Sequence, residues 1–166
     1  MIPIKISTPA NLKKITSRVR KNSETQRIFM SLLLDYGNPE RALRRMNELG
    51  VLGAIIPEFK RIIALMQFNF YHSYTVDEHT IQCISFLARI EQGILKEELP
   101  IASEILKSGV DRRVLYIAML LHDIGKAMDH EVEGTHPQIG MEYCRKYGEK
   151  AEAVLNSIAG HHGDIP

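Results

Sequence analysis

The chain has 166 residues, 45% of them hydrophobic and 25% charged, with a formal net charge of +1. That length suits one domain with a sizeable core, and the composition is that of an ordinary soluble globular protein. A near-neutral balance supplies no global field for nucleic acid or an anionic membrane.

The opening MIPIKIS lacks a long enough apolar core for a secretory signal, and no apolar run is long enough to span a bilayer. The expectation is a soluble, cytoplasmic chain without a membrane partner. The two cysteines, Cys83 and Cys144, each sit in an apolar helical pattern and read as reduced, buried thiols.

Helix starts and stops recur along the chain, and strand signals are nearly absent. Thr8-Pro9 opens a short basic helix through Arg20, whose LKKITSRVRK charges read as a solvated face rather than a phosphate contact. Ser23 caps a second helix through Asp35, with Ile28, Phe29, Leu32 and Leu33 as its inner stripe. Asn38-Pro39 is an N-cap followed by proline at the first helical position, and Gly50 closes that helix, whose apolar face is Ala42, Met46 and Leu49. Residues 51–66 form a broken helical stretch interrupted at Pro57. FNFYHSYT is turn-like, and Thr75 caps a helix to about Gln92.

Another helix covers 99–107 and ends at Gly109. Asp111 then caps a central helix whose residues 114–121 are apolar on every face, so that it is expected to be fully buried. Gly125 sits where that helix would stop, free to take a positive φ. Thr135 caps a helix to Tyr147, and the last runs from Glu149 to about His161. The fold class expected is an all-α bundle of short helices.

Seven histidines are present, and most of them fall at helix termini. His79 lies on the inward face of its helix, three residues after Val76 and four before Cys83. His122 and Asp123 end the central helix, His136 follows the Thr135 cap, and His161 and His162 end the last helix. Each piece has a plain structural reading: a core histidine, or a polar C-cap. Together, five imidazoles and one aspartate are too many for one ion and about right for two sharing a carboxylate. Such donors suit Fe, Mn, Co, Ni or Zn rather than Ca, with Mg also admissible. Neither cysteine sits at a matching terminus, so no thiolate zinc site is expected.

The spacing His79…His122-Asp123…His136…His161-His162 resembles the HD-domain metal-dependent phosphohydrolase superfamily, which implies an all-α HD-domain helical bundle. ERALRRMNELGVLGAIIPEF and FYHSYTVDEHT are similar to the HD domain of the bifunctional PII uridylyltransferase/uridylyl-removing enzyme. There the domain hydrolyses the bond between UMP and a signalling-protein tyrosine. The last third, LLHDIGKAMDHEVEGTH followed by IAGHHGD, resembles the HD domain of ribonuclease Y. The chain divides accordingly into N-terminal helices over about 1–74 and metal-site helices over 75–166.

The resemblance implies two divalent ions. His79, His122 and Asp123 would bind the first, and Asp123 would bridge to a second held by His136, His161 and His162. Water activated by the metals would attack a nucleotide or nucleotidyl phosphoester, with Lys126 holding a phosphate oxygen and His72 and Tyr74 lining the pocket. Lys126 as a solvated lysine, and His72 as a surface turn residue, are the competing readings. The superfamily pattern ends with a further metal-binding aspartate on a later helix. Asp164 belongs to the HHGD string and does not take that role, so weaker metal binding and reduced activity are expected. The chain is then a stand-alone HD protein or a piece of something larger. RNA cleavage, or a non-catalytic regulatory domain, are the alternatives, and a homo-oligomer is compatible with either.

Overall fold

In the computed structural model, residues 9–65 and 75–127 are described, and every regular element among them is a helix. The all-α class expected from the sequence is the one observed. The first expected helix is instead two short ones, α1 (Pro9–Leu12) and α2 (Ser17–Arg20). Between them Lys14 N–H bonds Asn11 O and Ile15 N–H bonds Leu12 O, and Thr16 then goes extended. β-Branched Ile15 and Thr16 favour leaving the helix there.

Asn22, not Ser23, caps α3 (Ser23–Leu34), its side chain accepting from the N–H groups of Glu24 at 2.9 Å and Thr25 at 3.3 Å. The helix docks through Phe29 and Leu33, one turn apart, while Ile28 is 55% exposed and faces solvent. The Asn38 side chain accepts from Glu40 N–H at 3.0 Å and starts α4 (Glu40–Glu48). Its anchor is Leu43, fully buried, with Ala42, Met46 and Leu49 only half-buried around it.

Gly50 takes a φ of +71° and turns the chain into α5 (Val51–Ile55). A Cβ on Gly53 would sit 3.1 Å from that of Lys60, so glycine lets the 3₁₀ turn Phe59–Arg61 close over α5. Ala64 then adopts a left-handed φ of +58°. The buried Asp77 carboxylate supports it, accepting from Ala64 N–H at 3.3 Å and from the Asn47 side chain at 2.7 Å.

The long helix α6 (Val76–Glu91) begins at Thr75, which contributes its backbone carbonyl to His79 N–H at 2.9 Å and no side-chain cap. α7 (Pro100–Lys107) has proline in its first turn, where the missing N–H costs nothing. Asp111 caps α8 (Arg112–Leu121) as expected, accepting from Arg113 N–H at 2.9 Å and Val114 N–H at 3.3 Å.

α6 and α8 run antiparallel, their facing residues Ile81, Ile84, Ala88, Tyr116 and Leu120 joining one core with Phe29, Leu33, Leu43 and Phe59. Arg112 locks one end of the pair. Its guanidinium donates to Glu91 and to Leu34 O (2.9 Å), and Tyr116 Oη donates to the same Glu91 carboxylate at 2.9 Å. α8 is not buried all round, because Val114, Leu115, Ile117 and Met119 are half-buried. Nor does the chain reverse at Gly125. It continues through His122 into a 3₁₀ turn, Ile124–Ala127, which buries Ile124 and Gly125 without a positive φ. No helix among the described residues is long and apolar enough to cross a membrane.

Leu33→Ala is expected to cost about 2–5 kcal/mol in urea unfolding, and Ile28→Ala no more than ~0.5 kcal/mol. Equal losses would contradict the docking face assigned to α3.

Candidate metal centre

Antiparallel packing sets the first turn of α6 against the last turn of α8. His79 reaches in from α6, and His122 and Asp123 from the end of α8. The two imidazole centroids are 5.8 Å apart, with the rings tilted by 56°. Asp123 Oδ2 is the hub: it lies 3.4 Å from His122 Nε2, 3.7 Å from His79 Nε2 and 2.7 Å from Lys126 Nζ. The 3₁₀ turn after His122 makes this possible, because it places Lys126 three residues from Asp123, back over the carboxylate. Asp123 has no exposed side-chain surface, whereas the His79 side chain is 26% exposed, so the cluster runs from a dry floor to a wet rim.

The His122 ring is oriented from behind. Its Nδ1 lies 2.7 Å from Met119 O, and a carbonyl only accepts, so Nδ1 carries the proton. Held in this way, the ring points Nε2 toward Asp123, the arrangement that orients metal-binding histidines. Burial pushes the Asp123 carboxyl up, but the neighbouring His122 charge, the Lys126 hydrogen bond and charge, and His79 outweigh it, and its pKa is lowered.

No thiolate site was expected, because Cys83 is not at a helix terminus, yet its thiol stands beside the cluster. One helical turn after His79, its Sγ is 3.5 Å from His79 Nε2, and the donor atoms of His79, Cys83 and His122 all lie within 4.8 Å of one another. The i, i+4 spacing on α6 carried that signal, because such residues share a helix face. Burial, with the Asp123 charge, pushes the thiol pKa up. A groove of about 380 Å³ opens beside these residues, lined also by Gln82, Phe86, Ile90 and Met119.

Two imidazoles, a carboxylate and a thiol suit a borderline divalent ion and not calcium. On donor chemistry, the described residues fit the first of the two ions expected. His136, His161 and His162, expected around the second, lie outside the described residues, as do His72 and Tyr74.

Residues 76–166, more than half of the chain, match the HD domain family. The chain belongs to the HD-domain family. Ahead of the HD match, residues 7–55 match the family described as the uridylyltransferase GlnD third domain. This HD-domain chain is 60% identical over 145 residues to the bifunctional uridylyltransferase/uridylyl-removing enzyme of Cereibacter sphaeroides. It is 60% identical over 140 residues to the enzyme of the same name from Ruegeria pomeroyi. Those alignments take in 86% and 80% of this chain but 15% of each relative. No solved structure gives a significant match. The likeness to the PII uridylyltransferase HD domain is thus shown, whereas that of the last third to ribonuclease Y rests on its motif alone.

Because the Asp123 pKa is lowered on folding, its anion stabilises the fold above the ordinary aspartate range, near pH 4. That contribution is lost as pH falls through the lower folded value. In chelator, Asp123→Asn is expected to be less stable than wild type at pH 7, with the gap closing as pH falls below the ordinary aspartate range. A gap of constant size in denaturant melts across that range would contradict the assignment.

Proposed function

We propose that this chain is a metal-dependent phosphohydrolase acting on a nucleotidyl phosphoester, in which His79, His122 and Asp123 hold the first cation. One observation carries the reading. Two imidazole Nε2 atoms lie within 3.7 Å of a single buried carboxylate oxygen, with the His122 tautomer set by Met119 O. The HD-domain match and the uridylyl-removing relatives support the same chemistry.

Each residue has a task. His122, held at Nδ1, presents Nε2 without having to reorient. Asp123 supplies the negative charge that compensates a dication, and its lowered pKa keeps it ionised at neutral pH. Lys126, its ammonium beside Asp123 and nearer the rim, is placed to take a non-bridging phosphate oxygen and to offset charge developing there. A divalent cation bound here supplies Lewis acidity, lowering the pKa of water and polarising the phosphoryl group. The choice lies among Fe, Mn, Co, Ni and Zn, and the family pattern assigns a second ion to His136, His161 and His162. His72 and Tyr74 complete the proposed substrate pocket. The substrate is a nucleotide esterified to a protein side chain, in keeping with relatives named for uridylyl removal. The active unit divides into a supporting part up to about residue 74 and a site part over 75–166.

Cys83 beside the same donors favours a second reading, a regulatory domain whose metal shell is closed and which turns nothing over. RNA cleavage is disfavoured, since a net charge of +1 offers little to a polyanion.

Metal content and hydrolysis of a model phosphodiester distinguish these readings. His122→Ala and Asp123→Ala are each expected to lose bound metal and more than about 100-fold in activity, beyond what removing an outer partner of a ligand costs. Full metal occupancy in both variants overturns the ligand assignment. Wild-type turnover that persists in excess chelator overturns the mechanism.

A further inference from the structure

The hydrolytic scheme makes no use of Cys83, yet its thiol stands among the donors. In a tetrahedral site with bonds of about 2.0–2.3 Å to nitrogen, oxygen and sulfur, neighbouring donor atoms are roughly 3.3–3.8 Å apart. Three separations here fall in that window. Cys83 Sγ is 3.5 Å from His79 Nε2, His79 Nε2 is 3.7 Å from Asp123 Oδ2, and Asp123 Oδ2 is 3.4 Å from His122 Nε2. They form an unbroken path through four residues, and the donor atoms of Cys83 and His122 lie within 4.8 Å of each other. His79, Cys83 and His122 thus form one compact group of donors, and Asp123 adjoins it through both imidazoles.

We propose that Cys83 is a fourth ligand for thiophilic ions, so that zinc closes this site while oxygen-preferring ions such as Mn²⁺ leave it open. The proposal rests on the reading that His79, His122 and Asp123 hold the cation. Thiolate is a soft donor that selects zinc, whereas manganese is satisfied by imidazole, carboxylate and water. On binding zinc, the Cys83 S–H bond breaks, its proton goes to solvent, and a sulfur–zinc bond forms. All four tetrahedral positions are then filled by protein, which is the pattern of a structural site. With manganese the thiol stays protonated against His79, and water keeps a place. One pocket thus has two coordination states, and zinc is the ion that binds tightest and silences it.

Cobalt(II) titrated into the metal-free chain reads both halves of this proposal. Visible ligand-field bands report binding, and a near-ultraviolet sulfur-to-cobalt charge-transfer band reports a bound thiolate. Wild type and Cys144→Ser are expected to show both, and Cys83→Ser and Cys83→Ala the visible bands alone. Zinc affinity, by competition with a chromophoric chelator, is expected to fall at least about 10–100-fold in the Cys83 variants, with manganese affinity changing less than about threefold. Retained manganese binding in the two variants also verifies that they are folded. Visible bands without charge transfer in wild type would overturn the role of Cys83 and leave the His/Asp assignment standing. A charge-transfer band that survives in both Cys83 variants also overturns it. Absence of any cobalt band overturns both assignments.

Discussion

The antiparallel pairing of α6 with α8 is the constraint from which the rest follows. At one end Glu91 accepts from Arg112 and from Tyr116, and Arg112 also ties in the last turn of α3. Between the ends, apolar side chains of both helices share the core. With that end and the core fixed, the other end has no freedom left: His79 must meet His122 and Asp123. A slip of one turn, about 5.4 Å, would separate imidazole and carboxylate beyond any shared ion. Precision at the cluster is thus inherited from ion pairing and packing at the far end.

Supports around the pair serve the same end. The Arg44 guanidinium is paired with both Glu40 of α4 and Glu78, next to His79 on α6. Ser85 donates to Glu40 and accepts from Asn38, so the start of α4 is bound to the middle of α6. Asp77 holds the left-handed turn at Ala64 against the first turn of α6. These contacts leave His79 on an element braced from two sides, as an oriented donor requires. Beneath it, Asp123 is buried among cationic or polarisable partners, where each charge counts for more than it would in water.

Much of this was legible in the residues, for identifiable reasons. Asp111 is a capping type with unambiguous neighbours and caps where expected, whereas α4 has its N-cap one residue late, at Pro39, with the Asn38 side chain still accepting from Glu40 N–H. Asn22 and Ser23 are adjacent residues of equal capping propensity, so local chemistry could not choose between them, and the geometry chose Asn22. Periodicity identified an apolar side of α4 but not Leu43 as its anchor, because tertiary packing decides which flank of a stripe turns in. Gly125 looked like a helix stop, yet the buried 3₁₀ turn it joins is what brings Lys126 over Asp123. The meeting of His79 with His122-Asp123 followed from their placement at helix ends. Cys83 was legible as the i, i+4 neighbour of His79 on the inward face, but its distance from any helix terminus argued against a ligand role that only the packing of α6 on α8 reveals.

The claim beneath the whole account is that these two helix ends share one cation. Crystals loaded with zinc and measured at its absorption edge test it most directly. An anomalous-difference peak is expected about 2.0–2.2 Å from Nε2 of both His79 and His122 and from an Asp123 oxygen. Zinc bound only elsewhere on the chain, with those three atoms bare, would contradict it.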